Sequence, residues 1–197
     1  APTARVFAHP AAFEAKYACR PDGRARDIGI PGDRCGMPDR IADRLVPTIA
    51  STEVCSDFLV TGQIPRVEEC EDTGGSFYLD ETCRHPDPLV DDQALVIRTR
   101  GGVVVILGCA HSGVINTLEY VARLTDGALI RAVIGGMHLG GASDERIGRT
   151  IEELRRRRIA QVVAAHCTGT NAVAALRARL SGCCTYSEVG ASFIWEH

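Results

Sequence analysis

Lysine is nearly missing: of 22 basic residues in this 197-residue chain, Lys16 is the single lysine and arginine supplies the rest. That bias reads as codon usage. No stretch approaches the roughly 20 consecutive apolar residues that a membrane span needs, and no leader of basic, apolar and small residues opens the chain. A membrane partner is therefore not expected. Surplus positive charge is missing too, the net charge being −3, so nothing favours nucleic acid or an anionic lipid surface. The basic run Arg155-Arg156-Arg157-Arg158 closes an expected helix, where it complements the negative end of the dipole as a solvated face.

There is no Cys-x-x-Cys among nine cysteines, so neither a zinc ribbon nor a thioredoxin-like motif is expected. An odd cysteine count in a chain this long does not describe a disulfide framework. Free thiols in the cytoplasm are the expectation, with pairing among Cys19, Cys35, Cys55, Cys70 and Cys83 in an exported protein as the alternative. Gly-x-Ser-x-Gly is lacking as well: Ser112 follows His111, and the spacing of a serine hydrolase fails. A Cys109 nucleophile with His111 as its base ranks below a metal site, because residues two apart rarely meet in that geometry.

One arrangement, by contrast, occurs three times. Val103 to Leu107 runs into Gly108-Cys109-Ala110-His111, Leu129 to Ile134 into Gly135-Gly136-Met137-His138, and Ile159 to Ala165 into His166-Cys167-Thr168-Gly169. Each is a strand pattern, then a histidine, then a helix pattern. Parallel strands would bring the three imidazoles to one carboxyl edge, where open α/β sheets build their sites.

Along the chain, residues 1–90 read as irregular and loop-rich, and residues 91–197 as a regular βα part. A strand at Ala4–Ala8 is expected, with His9 on a surface turn and a helix carrying Ala12, Phe13, Lys16 and Tyr17. A short helix at Ile41–Val46, an edge strand at Thr48–Val54 and a strand at Phe58–Thr61 follow. The acidic stretch Glu68-Glu69-Cys70-Glu71-Asp72 reads as a solvated loop. Ala94–Thr99 and Val103–Leu107 form a hairpin whose second strand is buried on both faces. Ser112 and Ser143 are expected to cap the next two helices, and Ser187–Trp195 to be a closing strand. Alternating strands and helices make the fold class α/β.

Neutral imidazole is the commonest nitrogen ligand for zinc. A catalytic zinc takes three protein ligands and keeps a position for water, whose pKa falls to about 7. His111, His138 and His166 have the type and number for such a site. Cys109 and Cys167 are soft ligands or small packing residues beside it. Asp92, like Asp91, offers an oxygen ligand, a base or a loop cap. Zinc, as one or two ions, is the expected cofactor, with manganese or iron as alternatives, and a small molecule is the expected substrate.

At Gly108–Gly113, Ile134–Leu139 and His166–Gly169 the chain resembles one branch of the metallo-β-lactamase fold, that of the 7,8-dihydropterin-6-methyl-4-(β-D-ribofuranosyl)-aminobenzene-5′-phosphate synthases. Asp27–Pro31, Thr61–Arg66 and Asp91–Leu95 support the likeness. The resemblance implies an αββα sandwich with a mono- or dinuclear metal centre, and metal-ligand or near-metal roles for His111, His138 and His166. It also implies a hydrolase or transferase acting on a phosphorylated or ester small molecule, dihydropterin-related in the branch's named reaction. The fold's His-x-His-x-Asp-His signature is absent from residues 1–197. In the branch it lies upstream of the segment matching Val6–Pro10, so the chain resembles the carboxyl-terminal portion of the domain. A non-catalytic fragment or pseudoenzyme lacking a complete metal site is the alternative.

Overall fold

The computed structural model describes residues 4–32 and 36–195. Turn residues interrupt every apolar run in the first part before it grows long, and its elements are correspondingly short. β1 (Val6–Ala8) leads through a 3₁₀ turn at Pro10–Phe13 to β2 (Tyr17–Cys19) and β3 (Ala25–Asp27). A single helical turn, α1 (Met37–Arg40), precedes β4 (Leu45–Pro47), β5 (Thr52–Cys55), β6 (Phe58–Val60) and β7 (Phe77–Tyr78). β1 pairs with β4 in parallel, and β2 lies antiparallel between β3 and β7.

Longer elements follow: β8 (Ala94–Thr99), β9 (Gly102–Leu107), α2 (Val114–Leu124), β10 (Ile130–Gly136) and α3 (Asp144–Arg156). The chain then runs through β11 (Gln161–Ala165), a 3₁₀ turn at His166–Thr168, α4 (Thr170–Arg179) and β12 (Cys184–Tyr186). One seven-stranded sheet has the order β12-β11-β10-β9-β8-β6-β5. Its strands β9 to β12 are parallel; β8, β6 and β5 add on antiparallel. Parallel neighbours need crossovers, and α2, α3 and α4 supply them.

The core lies between this sheet and those helices. Val103, Val105, Val133 and Val162 interleave with Leu118, Ile151 and Leu176. Each of these three helix residues is fully buried, a gain of about 1.5–3 kcal/mol apiece against exposure. Among the described residues no helix is long and apolar enough to cross a membrane.

Several expectations are corrected. His9 is buried, and its Nδ1 accepts the Ala11 N–H at 3.1 Å. Pro10 sets a tight turn there, and instead of a helix Tyr17 enters β2 opposite Asp27 and Tyr78. Lys16 is drawn inward to Asp87 at 2.7 Å and Asp91 at 3.0 Å. The helical turn expected at Ile41–Val46 lies earlier, in α1, and β4 already begins at Leu45. Ser187–Trp195 is not a strand; the last sheet member is Cys184–Tyr186. Eight cysteines are free thiols, and Cys35 lies outside the described residues.

The acidic stretch is not merely solvated. Glu71 is buried, and its two carboxylate oxygens accept the N–H groups of Ile115 and Asn116, both at 2.8 Å. It thus caps α2, whose N-cap position is held by Gly113 and not by Ser112. Ser143 does cap α3, accepting the Arg146 N–H. Glu71→Ala strands two amides at the start of α2 and should cost about 1–2 kcal/mol, read by chemical denaturation. Burial above all pushes the Glu71 carboxyl up from its usual value of 4.5, against the pull of those amides and Arg146. A raised acid favours the folded state most when protonated. The stability of the wild type relative to Glu71→Gln should therefore fall as pH rises from 4.5 through the raised value; a flat difference would refute the assignment.

Candidate metal centre

His111, His138 and His166 follow the carboxyl ends of β9, β10 and β11, neighbouring parallel strands, and so share one edge of the sheet. The backbone leaves those strands through left-handed bends, with φ of +55° at Ala110, +45° at His138 and +50° at His166. Such conformations cost on the order of 1–3 kcal/mol each in non-glycine residues and cluster at functional sites.

The rings of His111 and His138 lie 4.2 Å apart, and Phe77 meets His111 edge-on at 5.2 Å. His111 Nδ1 is 2.9 Å from the Thr73 carbonyl, and His138 Nε2 is 3.0 Å from that of Gly74. A carbonyl oxygen only accepts, so these two nitrogens carry protons, and in the corresponding neutral tautomer the opposite nitrogen has a lone pair. A backbone carbonyl holding the far nitrogen in this way is the usual support of a metal-ligating histidine. On His138 the remaining nitrogen, Nδ1, is buried and makes no hydrogen bond among the described residues. Gly74 approaches that ring so closely, at a φ of +77°, that a Cβ there would sit 2.0 Å from His138 Cδ2.

His166 faces a different pair. Its Nε2 is 3.2 Å from Cys109 Sγ, and Cys167 Sγ is 3.6 Å from the Cys109 carbonyl. One ligand atom from each of Cys109, His166 and Cys167 lies within 4.8 Å of the others, close enough to share an ion. His111 and His138 are outside this group. His138 nonetheless adjoins it: burial works to raise the Cys167 thiol, but His138 and Cys109 carry it below its usual value. Burial first, then Cys167 and Asp92, push the Cys109 thiol up to about 12. A thiol that stays protonated at neutral pH is a poor nucleophile, which weighs against a Cys109-based enzyme. Asp92 holds the turn before α2, accepting the Ser112 N–H at 2.7 Å, whereas Asp91 is committed to Lys16.

Three supporting features escaped the sequence reading. Arg66 donates to the carbonyls of His111 at 2.8 Å and Pro88 at 2.9 Å, fixing the first histidine's backbone. The carbonyls of Thr73 and Gly74 fix the two imidazoles. Only Gly74-Gly75 signalled a close approach there.

No protein-family model matches the chain. A Methanocaldococcus jannaschii protein named 7,8-dihydropterin-6-methyl-4-(β-D-ribofuranosyl)-aminobenzene-5′-phosphate synthase is 29% identical over 180 residues, covering 85% of this chain and 58% of its own length. An uncharacterized protein of the same organism is 32% identical over 172 residues, covering 87% and 61%. The chain thus spans about three fifths of the length of these curated relatives. Among solved structures, one of a metal-dependent hydrolase of the β-lactamase superfamily superposes with a TM-score of 0.80 at 26% identity. That match covers 98% of this chain and 72% of the other. With its large mixed sheet and three long helices, and with that superposition, the chain belongs to the metallo-β-lactamase superfamily, and it is similar in sequence to the dihydropterin-ribofuranosyl-aminobenzene phosphate synthase.

Proposed function

We propose that the chain carries part of the active site of a metal-dependent hydrolase or transferase that acts on a phosphorylated or ester-linked small molecule. The dihydropterin condensation named for its relative is the specific case the likeness favours. The observation that carries this reading is the donor set at one sheet edge: Cys109, His166 and Cys167 within 4.8 Å, beside the Nδ1 of His138, buried and without a hydrogen bond among the described residues. These residues suit an ion. Thiolate and imidazole together select zinc or a similar late divalent metal over magnesium or calcium, and His111 stands next to His138 to extend the set. A bound ion of this kind supplies Lewis-acid chemistry, polarising a phosphoryl or ester oxygen and acidifying water. The chain's own residues keep the site in order: Thr73 and Gly74 hold the tautomers, Arg66 and Asp92 hold the first turn.

Elemental analysis of the full-length protein tests this. His166→Ala, and the double variant Cys109→Ser/Cys167→Ser, should each weaken zinc binding by at least the roughly 10–100-fold that even an outer-shell change costs. Unchanged metal content in both would overturn the ligand set. One observation favours the alternative of a non-catalytic member of the fold: His166 and Cys109 already satisfy each other at 3.2 Å. A zinc-reconstituted protein inert on a panel of phosphomonoesters and phosphodiesters would support that second reading.

A further inference from the structure

Beside the candidate metal centre is a cavity of about 340 Å³, lined by Cys70, Asp72, Gly74, His138, Ser143 and Arg146 among others. It lies between the acidic loop and the first turn of α3, a helix of 13 residues. Arg146 is only 5% exposed. Its Nη1 donates to Asp72 Oδ1 at 2.5 Å. Its other two nitrogens, Nε and Nη2, are both buried and have no hydrogen-bond partner among the described residues.

Those two nitrogens form one side of the planar guanidinium, the fork that receives the two oxygens of a carboxylate or phosphate in parallel. Buried N–H groups of a charged side chain are normally hydrogen-bonded, so this fork is shaped to receive a partner. The start of α3 adds the positive end of a helix dipole at the same place. Asp72, with Asp144 and Glu145 in the first turn of α3, keeps the surroundings acidic. A ligand here must therefore be recognised by directed hydrogen bonds and not by bulk attraction.

We propose that the Nε/Nη2 fork of Arg146 is an oxyanion-binding subsite that takes a phosphate group of a small molecule whose reacting part lies toward His138. The proposal rests on the reading of this edge as an active site and adds to it the group that anchors the substrate. His138 lines the same cavity, so an anion on Arg146 would tether a ligand within reach of the candidate donors.

The test uses chelator-treated protein, so that no metal can hold the anion, with inorganic phosphate and phenyl phosphate as probes followed by titration calorimetry. Wild type should bind both saturably. Arg146→Lys, which keeps the charge and loses the fork, should weaken binding at least tenfold, whereas Arg131→Lys, at the far end of β10, should leave it unchanged. Tighter binding of phenyl phosphate than of inorganic phosphate identifies an esterified phosphate as the ligand; equal affinities identify the free ion. Should Arg146→Lys fail to fold, the ¹H–¹⁵N signal of the wild-type Arg146 Nε is the readout, and it should shift on adding either probe. No saturable binding, undiminished binding in Arg146→Lys, or an unmoved Nε signal would each overturn the subsite. None of these outcomes alters the zinc content of the wild type, so failure here and failure of the metal site are separable.

Discussion

Replacing Lys16 with alanine should cost the fold about 3–5 kcal/mol, the loss typical of removing one partner from a buried ion pair. The amine reaches Asp87 at 2.7 Å and Asp91 at 3.0 Å, and the three side chains are 10%, 2% and 17% exposed. Truncation would leave two carboxylates shut in with no cation. Asp87 also accepts the Leu89 N–H at 2.8 Å, so the damage would reach the segment that leads into β8. Denaturant unfolding of Lys16→Ala against wild type measures the effect, and a loss below about 1 kcal/mol, the worth of an exposed pair, would refute it. The sign of the pH dependence follows from the same contacts. Burial, the largest influence, pulls the amine down, but hydrogen bonds and charge from Asp87 and Asp91 together hold it above its usual 10.5. The stabilisation is complete below pH 10.5 and is lost as pH rises through the raised value.

Gly135→Ala is expected to be comparably severe, for reasons of backbone and not of charge. Gly135 sits in β10 at a φ of +133°, and a Cβ there would lie 2.2 Å from the Leu107 carbonyl oxygen. That oxygen belongs to β9, whose Leu107 is paired with Gly135. Neither partner can give, because both are central strands of the seven-stranded sheet. Forced strain of about 1–3 kcal/mol would be joined by a slip of the β9–β10 pairing, which sets the spacing of His111 and His138. The variant should therefore lose both stability, by about 3 kcal/mol, and zinc affinity. A variant with wild-type unfolding midpoint and metal content would show that the strands can separate without cost.

The sequence was most legible where short-range pattern decides the outcome. The apolar run Val103–Leu107 is buried at both faces of a strand, as such runs are, and its hairpin with Ala94–Thr99 is present in register. Ser143 caps α3 by accepting the Arg146 N–H, and Asp144 and Glu145 follow it in the first turn. The common edge reached by His111, His138 and His166 came from recognising one motif three times. Less legible were contacts across long separations. Nothing near Ser112 announces that Glu71, over forty residues earlier, caps α2. Lys16 looked like one residue of a helix because its carboxylate partners are more than seventy residues away. The tight Cys109–His166–Cys167 group was hidden for a related reason. Two of its members adjoin in sequence, and the third enters only through the packing of β9 and β11 on either side of β10.

The loop from Arg66 to Gly75 reaches unusually many parts of the molecule. It seals the start of α2 through Glu71, ties α3 through Asp72 to Arg146 and Glu68 to Arg149, and supplies the carbonyls that set His111 and His138. Mechanical firmness and the protonation pattern of the imidazoles are thus properties of one ribbon of ten residues. A substitution there could not loosen the helices and spare the chemistry, nor retune the chemistry and spare the helices.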